Sequence, residues 1–390
     1  MIMKFKRLII YCIFALAFTS CESGFDDMMN DSEDYSYTVL FNSLDADIMA
    51  DSSSKTVAFP ATTVDALPSA PVKYGYAFAG WYTSINGTGS QFRKDTRVNG
   101  NITLYAKWLQ GTAGLSYTLV SGNNYSVSKG TVTTGDVVIP DYVSSNQKVT
   151  TIPNNGFADL TSITSVFIPD TIISIGSLSF MRCRSLTSVT IPASVISIVG
   201  YPFVHNDALQ KITVDTANAY YKDIDGVLFN KSGTVLINFP VAKIASVYII
   251  PDEVTTINDY GFADNTYLTS VEIPDSVNSI GQYAFSNCTA LTSIIIPDGV
   301  TSLLGYVFVG CTSLTSATIG SGMTSMRQYI FYNTTALKSI TMRCMAAPSI
   351  DGNVFSPGVT GCTLYRYNSA TGFDSGQWVN TTIFSSQVDL

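Results

Sequence analysis

Side chains that commonly catalyse reactions are scarce in this sequence. His205 is the single histidine among 390 residues, so a zinc site built on two histidines is impossible. The sequence contains no G-x-S-x-G, Walker or H-E-x-x-H motif. Asp252, Asp275 and Asp298 recur after proline at one place in successive segments, which is typical of turn residues that bind local backbone N–H groups. We therefore predict a non-enzymatic protein without a metal or cofactor.

The cysteines follow two patterns. One recurring position is held by cysteine or asparagine in turn: Cys183, Asn206, Asn265, Cys288 and Cys311. We predict buried free thiols there, although Cys288 and Cys311 lie on adjacent segments, where a bridge is also conceivable. Cys344 and Cys362, near the C-terminus of an exported chain, are the better candidates for a disulfide.

A repeat of 23 residues positions these side chains. Ile250, Ile273, Ile296 and Ile319 each begin the same phrase, as in IPDSVNSIGQYAFSNCTALTSII. A fixed period of this size indicates a solenoid, in which each unit buries its apolar face against its neighbours. Each unit ends in an alternating pattern that predicts a strand, and the following proline closes that strand. The phenylalanine of each phrase is expected to fill the core, as in the series Phe262, Phe285 and Phe308.

The phrase at 273–296 reads I-P-D-x-V-x-x-I-G-x-x-A-F-x-x-C-x-x-L-x-S-x-x-I. It resembles the BspA-like leucine-rich repeat of bacterial surface proteins, and the resemblance extends from Leu115 to the C-terminus. The resemblance implies a mostly β solenoid with a parallel strand ladder and an irregular convex side. We place the repeats at 153–342, between a linker with an N-terminal cap at 110–152 and a C-terminal cap at 343–390.

One interval breaks the period. The distance in sequence from Val214 to Ile250 exceeds the repeat by thirteen residues, which predicts a hairpin insertion near 219–240. Insertions in solenoids often carry binding, but the resembled family commonly has this insert, so a regular variant is an equal interpretation.

The outward residues of the strand ladder offer candidate binding positions. Most are serine or threonine, and the larger side chains among them are Phe167, Lys211, Glu272 and Ile295. These lie on the usual concave side of the architecture, where leucine-rich solenoids commonly bind proteins. The alternative is that a hydroxyl ladder merely suits a soluble β-sheet.

Residues 35–109 form a separate small domain. Its two strand patterns, G-Y-x-F-x-G-W-Y from Gly75 and N-I-T-L-Y-A-x-W from Asn101, are accompanied by turn signals at Asn86-Gly87 and Asn99-Gly100. They resemble the Listeria-Bacteroides repeat, a small β-grasp-like module of bacterial surface proteins. The aromatic residues of these strands, Trp81 and Trp108 among them, are interpreted as core, with a sugar-stacking platform as the alternative.

The N-terminus has the pattern of an export leader. Residues 1–21 combine a basic end, an eleven-residue apolar run and a terminal Cys21, as in a bacterial lipoprotein signal, so Cys21 is the predicted lipid attachment site. An ordinary secretory peptide with an incidental cysteine is the alternative. Residues 22–34 are an acidic stretch, interpreted as a tether and as a surface-export signal or a plain linker. We expect a lipid anchor in the outer membrane, with the solenoid facing the exterior in preference to the periplasm.

These features lead to three hypotheses of function. The resemblance implies adhesion to host proteins or other cells, and the formal charge of −8 disfavours nucleic acid as a partner. A glycan-binding lipoprotein of a nutrient-uptake system is the alternative, and it predicts exposed tryptophans among Trp81, Trp108 and Trp378. A glycan-degrading enzyme, the least favoured, requires two carboxylates outside the repeat pattern that face one cleft.

Overall fold

A computed structural model describes residues 36–85, 87–355, 359–380 and 383–389. The predicted leader, Cys21, the acidic tether and Asn86 of one predicted turn lie outside the described residues. The chain divides into two compact units, of which the first comprises 36–45, 49–71 and 80–107. The second comprises 46–48, 72–79 and the described residues from 108 onward.

Five strands near the N-terminus form one mixed sheet. They are β1 (Ser36–Asn42), β2 (Ser54–Ala58), β3 (Tyr76–Tyr82), β4 (Gln91–Phe92) and β5 (Ile102–Gln110), in the order β2-β1-β5-β3-β4. Strand β1 pairs in parallel with β5 and antiparallel with β2. Alternation along β1 buries Val39 and Phe41, and the ring of Phe41 packs edge-on against Trp81 with centroids 5.0 Å apart.

The remaining strands form the solenoid. In chain order they are β6 (Ser116–Ser121), β7 (Asn124–Ser128), β8 (Val137–Val138), β9 (Lys148–Ile152), β10 (Val166–Phe167), β11 (Ser174–Ile175), β12 (Ser188–Ile191), β13 (Ser197–Ile198), β14 (Lys211–Val214), β15 (Tyr221–Ile224), β16 (Val227–Asn230), β17 (Val235–Asn238), β18 (Val247–Ile249), β19 (Thr256–Ile257), β20 (Ser270–Glu272), β21 (Ser279–Ile280), β22 (Ser293–Ile296), β23 (Ser302–Leu303), β24 (Ser316–Ile319), β25 (Ser325–Met326), β26 (Ser339–Met342), β27 (Ser349–Ile350), β28 (Cys362–Arg366) and β29 (Phe384–Asp389). A single 3-10 helix, η1, spans Gly376–Val379 in the described residues.

The predicted period and parallel strand ladder are confirmed. The solenoid has about eleven turns, and in successive coils Ser293 pairs with Ser316 and Ser316 with Ser339, each 23 residues on. We call this series of strands the first ladder. Before the insertion it consists of β8, β10, β12 and β14, and after the insertion of β18, β20, β22, β24, β26, β28 and β29. The region after Met342 therefore continues the ladder with two further strands.

A second ladder runs along another side of the coils, where an irregular path was predicted. It consists of two-residue strands such as β19, β21, β23 and β25, which pair in parallel one coil apart. In β21 the side chain of Ile280 is buried while Ser279 is exposed, so these short strands close the core from a second side.

Phenylalanine rings stack along the centre of the solenoid. Phe262, Phe285 and Phe308 are completely buried, as predicted, with ring centroids 4.9 and 5.5 Å apart. Stacked rings on neighbouring coils bury large apolar areas and add an aromatic attraction of about 0.5–1.5 kcal/mol per pair. Within the described part of the chain, no helix is long and apolar enough to span a membrane.

Candidate functional site

The candidate contact residues all lie on strands of the first ladder, but they do not form one continuous row. Glu272 on β20 and Ile295 on β22 are neighbours, since Ser270 pairs with Ser293, and both side chains are exposed. Phe167 lies on β10 and is only half-buried, while Lys211 lies on β14 and is exposed. The ladder is interrupted between β14 and β18, so the two pairs are on opposite sides of a break.

The break is made by the insertion. Strands β15, β16 and β17 form an antiparallel sheet that continues in parallel into β19 of the second ladder. The predicted hairpin corresponds to β16 and β17, and β15 is an additional strand. The insertion also contributes to the core, because the side chains of Leu228, Phe229, Leu236 and Phe239 are fully buried.

An open cleft of about 470 Å³ lies where the insertion meets β14. Its lining combines charged, amide and apolar side chains: Gln210, Lys211, Thr213, Asp223, Asp225, Ala242, Lys243 and Ile244, together with Gly226. We call it the insertion cleft. Because it lies at the interruption of the first ladder, the rest of the repeat does not reproduce it.

Glycine at position 226 lets the insertion approach β14 closely. Its carbonyl accepts a hydrogen bond from the Ile212 amide at 2.9 Å, and its φ of 77° is in the left-handed region. A Cβ atom at this position would lie 3.1 Å from the Cβ atom of Lys211, closer than most side chains tolerate. The close approach forms the wall of the cleft beside Lys211.

Fixed carboxylates and one free cation set the charge of the cleft. The Asp223 carboxylate accepts a hydrogen bond from the Val214 amide at 2.7 Å, which anchors the insertion to β14. The Lys243 ammonium lies 2.8 Å from the Asp225 carboxylate and is mostly buried. Lys211 has no ion-pair partner within the described residues, so its ammonium is available to a carboxylate from outside.

Exposed aliphatic side chains continue from the cleft along the first ladder. Ile244 is 81% exposed, Val247 49%, Ile249 63% and Ile295 55%. We call these four residues the apolar strip. Ile249 pairs with Glu272, which in turn lies level with Ile295, so an exposed carboxylate separates Ile295 from the other three residues. Exposed aliphatic side chains beside polar residues are typical of a protein-binding surface.

Sequence reasoning missed three residues of the apolar strip. The sequence analysis took outward positions only from strands that match the repeat phrase. Strand β18 follows the insertion, where the phrase is altered, so its outward residues were not identified. The alternation of β18 was nonetheless visible, since Val247 and Ile249 are exposed while Ile250, the start of the next unit, is buried.

The histidine has an acidic neighbour but no nucleophile. Nδ1 of His205 lies 2.6 Å from Oδ2 of Asp264, and this contact raises the pKa of His205, against the opposing effect of partial burial. No hydroxyl or thiol among the described residues hydrogen-bonds to the imidazole, so a catalytic triad is not assembled there. The described residues also include no group of three or more His, Cys, Asp or Glu side chains that could hold a metal.

Asp223 and Asp225 are the pair that the enzyme hypothesis would have to use, since both lie outside the repeat pattern and line one cleft. Backbone amides hold the first carboxylate and the Lys243 ammonium holds the second. This arrangement suits a structural role in positioning the insertion, not the acid and base of glycoside cleavage.

The predicted disulfide between Cys344 and Cys362 is wrong in this structure, where both are buried free thiols. The register explains the difference, because Ser339 pairs with Thr363 and so places Cys362 level with Lys338. Cys344 lies beyond the other end of β26, and four extended residues already span about 13 Å. A disulfide requires Cα atoms within about 7 Å.

The alternation of cysteine and asparagine has a chemical cause. The thiols of Cys288 and Cys311 donate to the carbonyl oxygens of Phe262 and Phe285, at 3.2 and 3.0 Å, and the Asn265 amide donates to the Val241 carbonyl at 2.9 Å. At these three positions a small buried donor of either residue type bonds a carbonyl of the preceding coil, whereas at Asn206 the side-chain oxygen accepts from the Cys183 amide at 2.8 Å and the NH2 group has no partner among the described residues.

The tryptophans do not form the platform that the glycan alternative requires. Trp81 is 2% and Trp378 is 4% exposed, and both pack against phenylalanine rings. Trp108 is half-buried and its ring is tilted against Phe78 at a centroid distance of 5.7 Å.

Parallel coils of one period, with a ladder of short strands and an apolar interior, define the class of leucine-rich repeat solenoids. Within that class, the chain belongs to the BspA type leucine rich repeat family, whose model matches six copies over residues 141–249 and 238–358. Residues 37–107 match the Listeria-Bacteroides repeat domain. Proteins with BspA-type repeats are typically found at the cell surface, and the repeat family is typically non-catalytic.

Solved structures with a similar fold come from several bacteria. The pneumococcal vaccine antigen PcpA is 16% identical, with a TM-score of 0.48, over 72% of this chain and 98% of PcpA. A leucine-rich repeat protein from Eubacterium ventriosum is 19% identical, with a TM-score of 0.41, over 70% of this chain and 93% of its own. One from Bacteroides ovatus is 20% identical, with a TM-score of 0.42, over 72% and 76%. A comparison with curated protein sequences gave no significant match.

Proposed function

We propose that this chain is a non-enzymatic adhesin of the cell surface, which binds host proteins or other cells through the first ladder of its solenoid. The observation that carries the proposal is the apolar strip beside the insertion cleft. Ile244 lines the cleft, Val247 and Ile249 follow on β18, and Ile295 lies two strands further along the ladder. Lys211 of the cleft has no ion-pair partner among the described residues. A protein ligand with apolar side chains and a nearby carboxylate would complement both features.

The same proposal includes the anchor. Cys21, after an apolar run of eleven residues and a basic end, is the proposed lipid attachment site, with the outer membrane as the proposed location. The acidic residues of 22–34 would act as the tether between the lipid and the folded units.

The binding surface is tested with paired serine substitutions. Ile249→Ser with Ile295→Ser should weaken adherence of the purified full chain to host cells, or to immobilised fibronectin or laminin, by at least about tenfold, since hot-spot residues commonly contribute this much. Ile173→Ser with Ile196→Ser is the matched control, because these isoleucines are 42% and 49% exposed and lie at the second ladder. Equal adherence of the two double variants, or no adherence by the wild type, would contradict the proposal.

The location is tested on intact cells of the source organism. Protease treatment should remove the signal of an antibody against residues 115–390 while a periplasmic marker survives, and Cys21→Ser should release the protein from the membrane fraction. If the signal is protected until the outer membrane is opened, the adhesin proposal fails and a periplasmic scaffold replaces it. Release of the wild type without detergent would contradict the lipid anchor alone.

A further inference from the structure

Tyrosine rings form a row along the turns that follow the second ladder. The row contains five residues: Tyr201, Tyr260, Tyr283, Tyr306 and Tyr329. The last four lie on consecutive coils, and the coil that contains the insertion contributes no ring between Tyr201 and Tyr260. Successive ring centroids are 4.4, 4.8, 4.8 and 5.1 Å apart, and the planes of the middle pairs differ by only 12° and 11°. We call this the tyrosine row. Each member precedes a core phenylalanine by two residues, so the same period that revealed the core could have revealed the row.

The hydroxyl groups of the row have no partners in the protein. All five side chains are half-buried, and no hydrogen bond to their hydroxyls is found among the described residues. Burial, with the neighbouring phenols, raises the pKa of Tyr260 to about 12, and burial also raises the pKa of Tyr283. The hydroxyls of Tyr260 and Tyr283 therefore remain protonated at physiological pH. A phenol hydroxyl can both donate and accept hydrogen bonds.

The coil itself does not require tyrosine at this position. Tyr260, Tyr283 and Tyr306 have φ of 57°, 57° and 65°, a left-handed conformation that asparagine and glycine adopt more readily. In two earlier coils the equivalent residues are Asn155 and Leu178, with φ of 57° and 56°. Stacking of the rings offsets part of the strain, but it would do so equally well without the hydroxyls.

The charges beside the row disfavour an anionic ligand. Asp259 binds the Gln282 amide, and Asp264 binds both Asn287 and His205. The Arg327 guanidinium nearby is paired with Asp351 at 2.9 Å. Uncharged amide side chains also lie next to the row, since Gln282 and Gln328 directly precede Tyr283 and Tyr329.

We propose that the tyrosine row is a binding site for an uncharged polysaccharide chain that lies along the coils. Phenol and amide groups match the hydroxyls of neutral sugars, because each side can both donate and accept. The row presents the same group once in each of the four consecutive coils from Tyr260 to Tyr329, so a ligand that is itself a repeating polymer can make the same contact several times and gain from multivalency. The site is separate from the insertion cleft and the apolar strip, which lie on the first ladder, and it does not depend on the adhesin proposal.

Affinity electrophoresis of the full chain tests this site. Gels contain galactomannan, dextran or laminarin as neutral polymers, and polygalacturonate as an anionic one. Wild type should be retarded by at least one neutral polymer and not by polygalacturonate. Tyr283→Phe with Tyr306→Phe keeps the stacked rings but removes two hydroxyls, and it should weaken retardation roughly tenfold, since each hydrogen bond contributes a factor of a few. Tyr267→Phe is the matched control, as this tyrosine is 46% exposed and outside the row.

Several results would overturn the proposal. These are no retardation of the wild type by any neutral polymer, equal retardation of the double phenylalanine variant, or retardation by polygalacturonate alone. Release of the bound chain by poly-L-proline at lower concentration than by the polysaccharide would assign the row to an extended peptide instead. Thermal unfolding of the double variant should match that of the wild type, which separates loss of binding from loss of folding.

Discussion

Asn265 shows how one side chain connects neighbouring coils. Its amide group donates to the Val241 carbonyl at 2.9 Å, and its carbonyl accepts from the amides of Tyr267 and Leu268 at 3.0 and 2.8 Å. The side chain is completely buried, so water cannot replace these bonds after truncation.

We expect Asn265→Ala to lower the free energy of unfolding by about 3 kcal/mol, because two buried polar groups, the Val241 carbonyl and the Leu268 amide, and the part-buried Tyr267 amide lose their partner. Urea denaturation measures the change. Asn278→Ala is the matched control, as Asn278 is exposed, and its effect should stay within about 0.5 kcal/mol. A loss below about 1 kcal/mol for Asn265→Ala would show that the position does not need its donor.

Asp141 occupies the position after proline that Asp252 occupies in a later coil, but it is buried where Asp252 is exposed. Burial raises the pKa of Asp141 from 3.8 to about 7, and the negative charge of Asp170 acts in the same direction. The protonated form therefore stabilises the folded state fully below the unfolded pKa, and this contribution is lost as the pH rises through about 7.

The stability of the wild type should therefore decrease by a few kcal/mol between about pH 5 and about pH 8. Asp141→Asn carries no charge at any pH and should remove most of this decrease, whereas Asp252→Asn should retain it. Urea denaturation across the pH range checks the slope. Parallel slopes for wild type and Asp141→Asn would show that this carboxyl is not the cause.

At the scale of elements, the insertion replaces part of a coil. Phe239 stacks on Phe262 with centroids 5.1 Å apart, so it fills the core position for which the altered repeat phrase supplies no phenylalanine. The buried apolar side chains of the solenoid form an N-terminal and a C-terminal cluster, and the insertion contributes to both. Phe229 and Phe239 belong to the C-terminal cluster, and Leu228 belongs to the N-terminal cluster. The insertion therefore joins the two halves of the core.

Phe239→Ala should cost about 3–5 kcal/mol of unfolding free energy, the usual range for a fully buried phenylalanine. Tyr220→Ala, in the same insertion but 52% exposed, should cost less than about 1 kcal/mol. Thermal and urea unfolding of both variants gives the comparison. Similar small losses for the two would mean that the insertion is only an appendage of the solenoid.

The sequence predicted those elements whose spacing repeats. Ile250 and its equivalents mark the first ladder, because a fixed period puts identical residues in register on adjacent coils. The second ladder escaped prediction, since two residues such as Ser279–Ile280 are too short to show alternation. The disulfide was expected because Cys344 and Cys362 both lie in the C-terminal region of an exported chain, and that shared location does not determine the strand register that separates them.

The whole solenoid is nearly one-dimensional, since each coil pairs with its two neighbours and the stability of distant coils is coupled only through the chain of interfaces. The candidate binding surface depends on this arrangement as well. The insertion cleft lies where the period is broken, and the sequence period alone was enough to locate that break. The cleft itself, and the position of Lys211 in it, could be seen only in the structure.

The end of the solenoid provides the test of this near independence. Trp378 is 4% exposed and packs against Phe355, Phe373 and Phe384, with centroids 5.7, 5.1 and 6.2 Å away. Trp378→Ala should therefore loosen the last coils by removing the ring that joins η1 to β29, at a local cost of about 3–5 kcal/mol.

Hydrogen exchange should show the loss of protection only near this end. We expect faster exchange in β26, β28 and β29 of Trp378→Ala, and unchanged exchange in β9, β11 and β13, which lie many coils away. Val379→Ala, at an adjacent residue that is 46% exposed, is the matched control and should leave both regions unchanged. Equal acceleration in all six strands would instead show a single cooperative unit, in which a change at the C-terminal end reaches the insertion cleft and the tyrosine row alike.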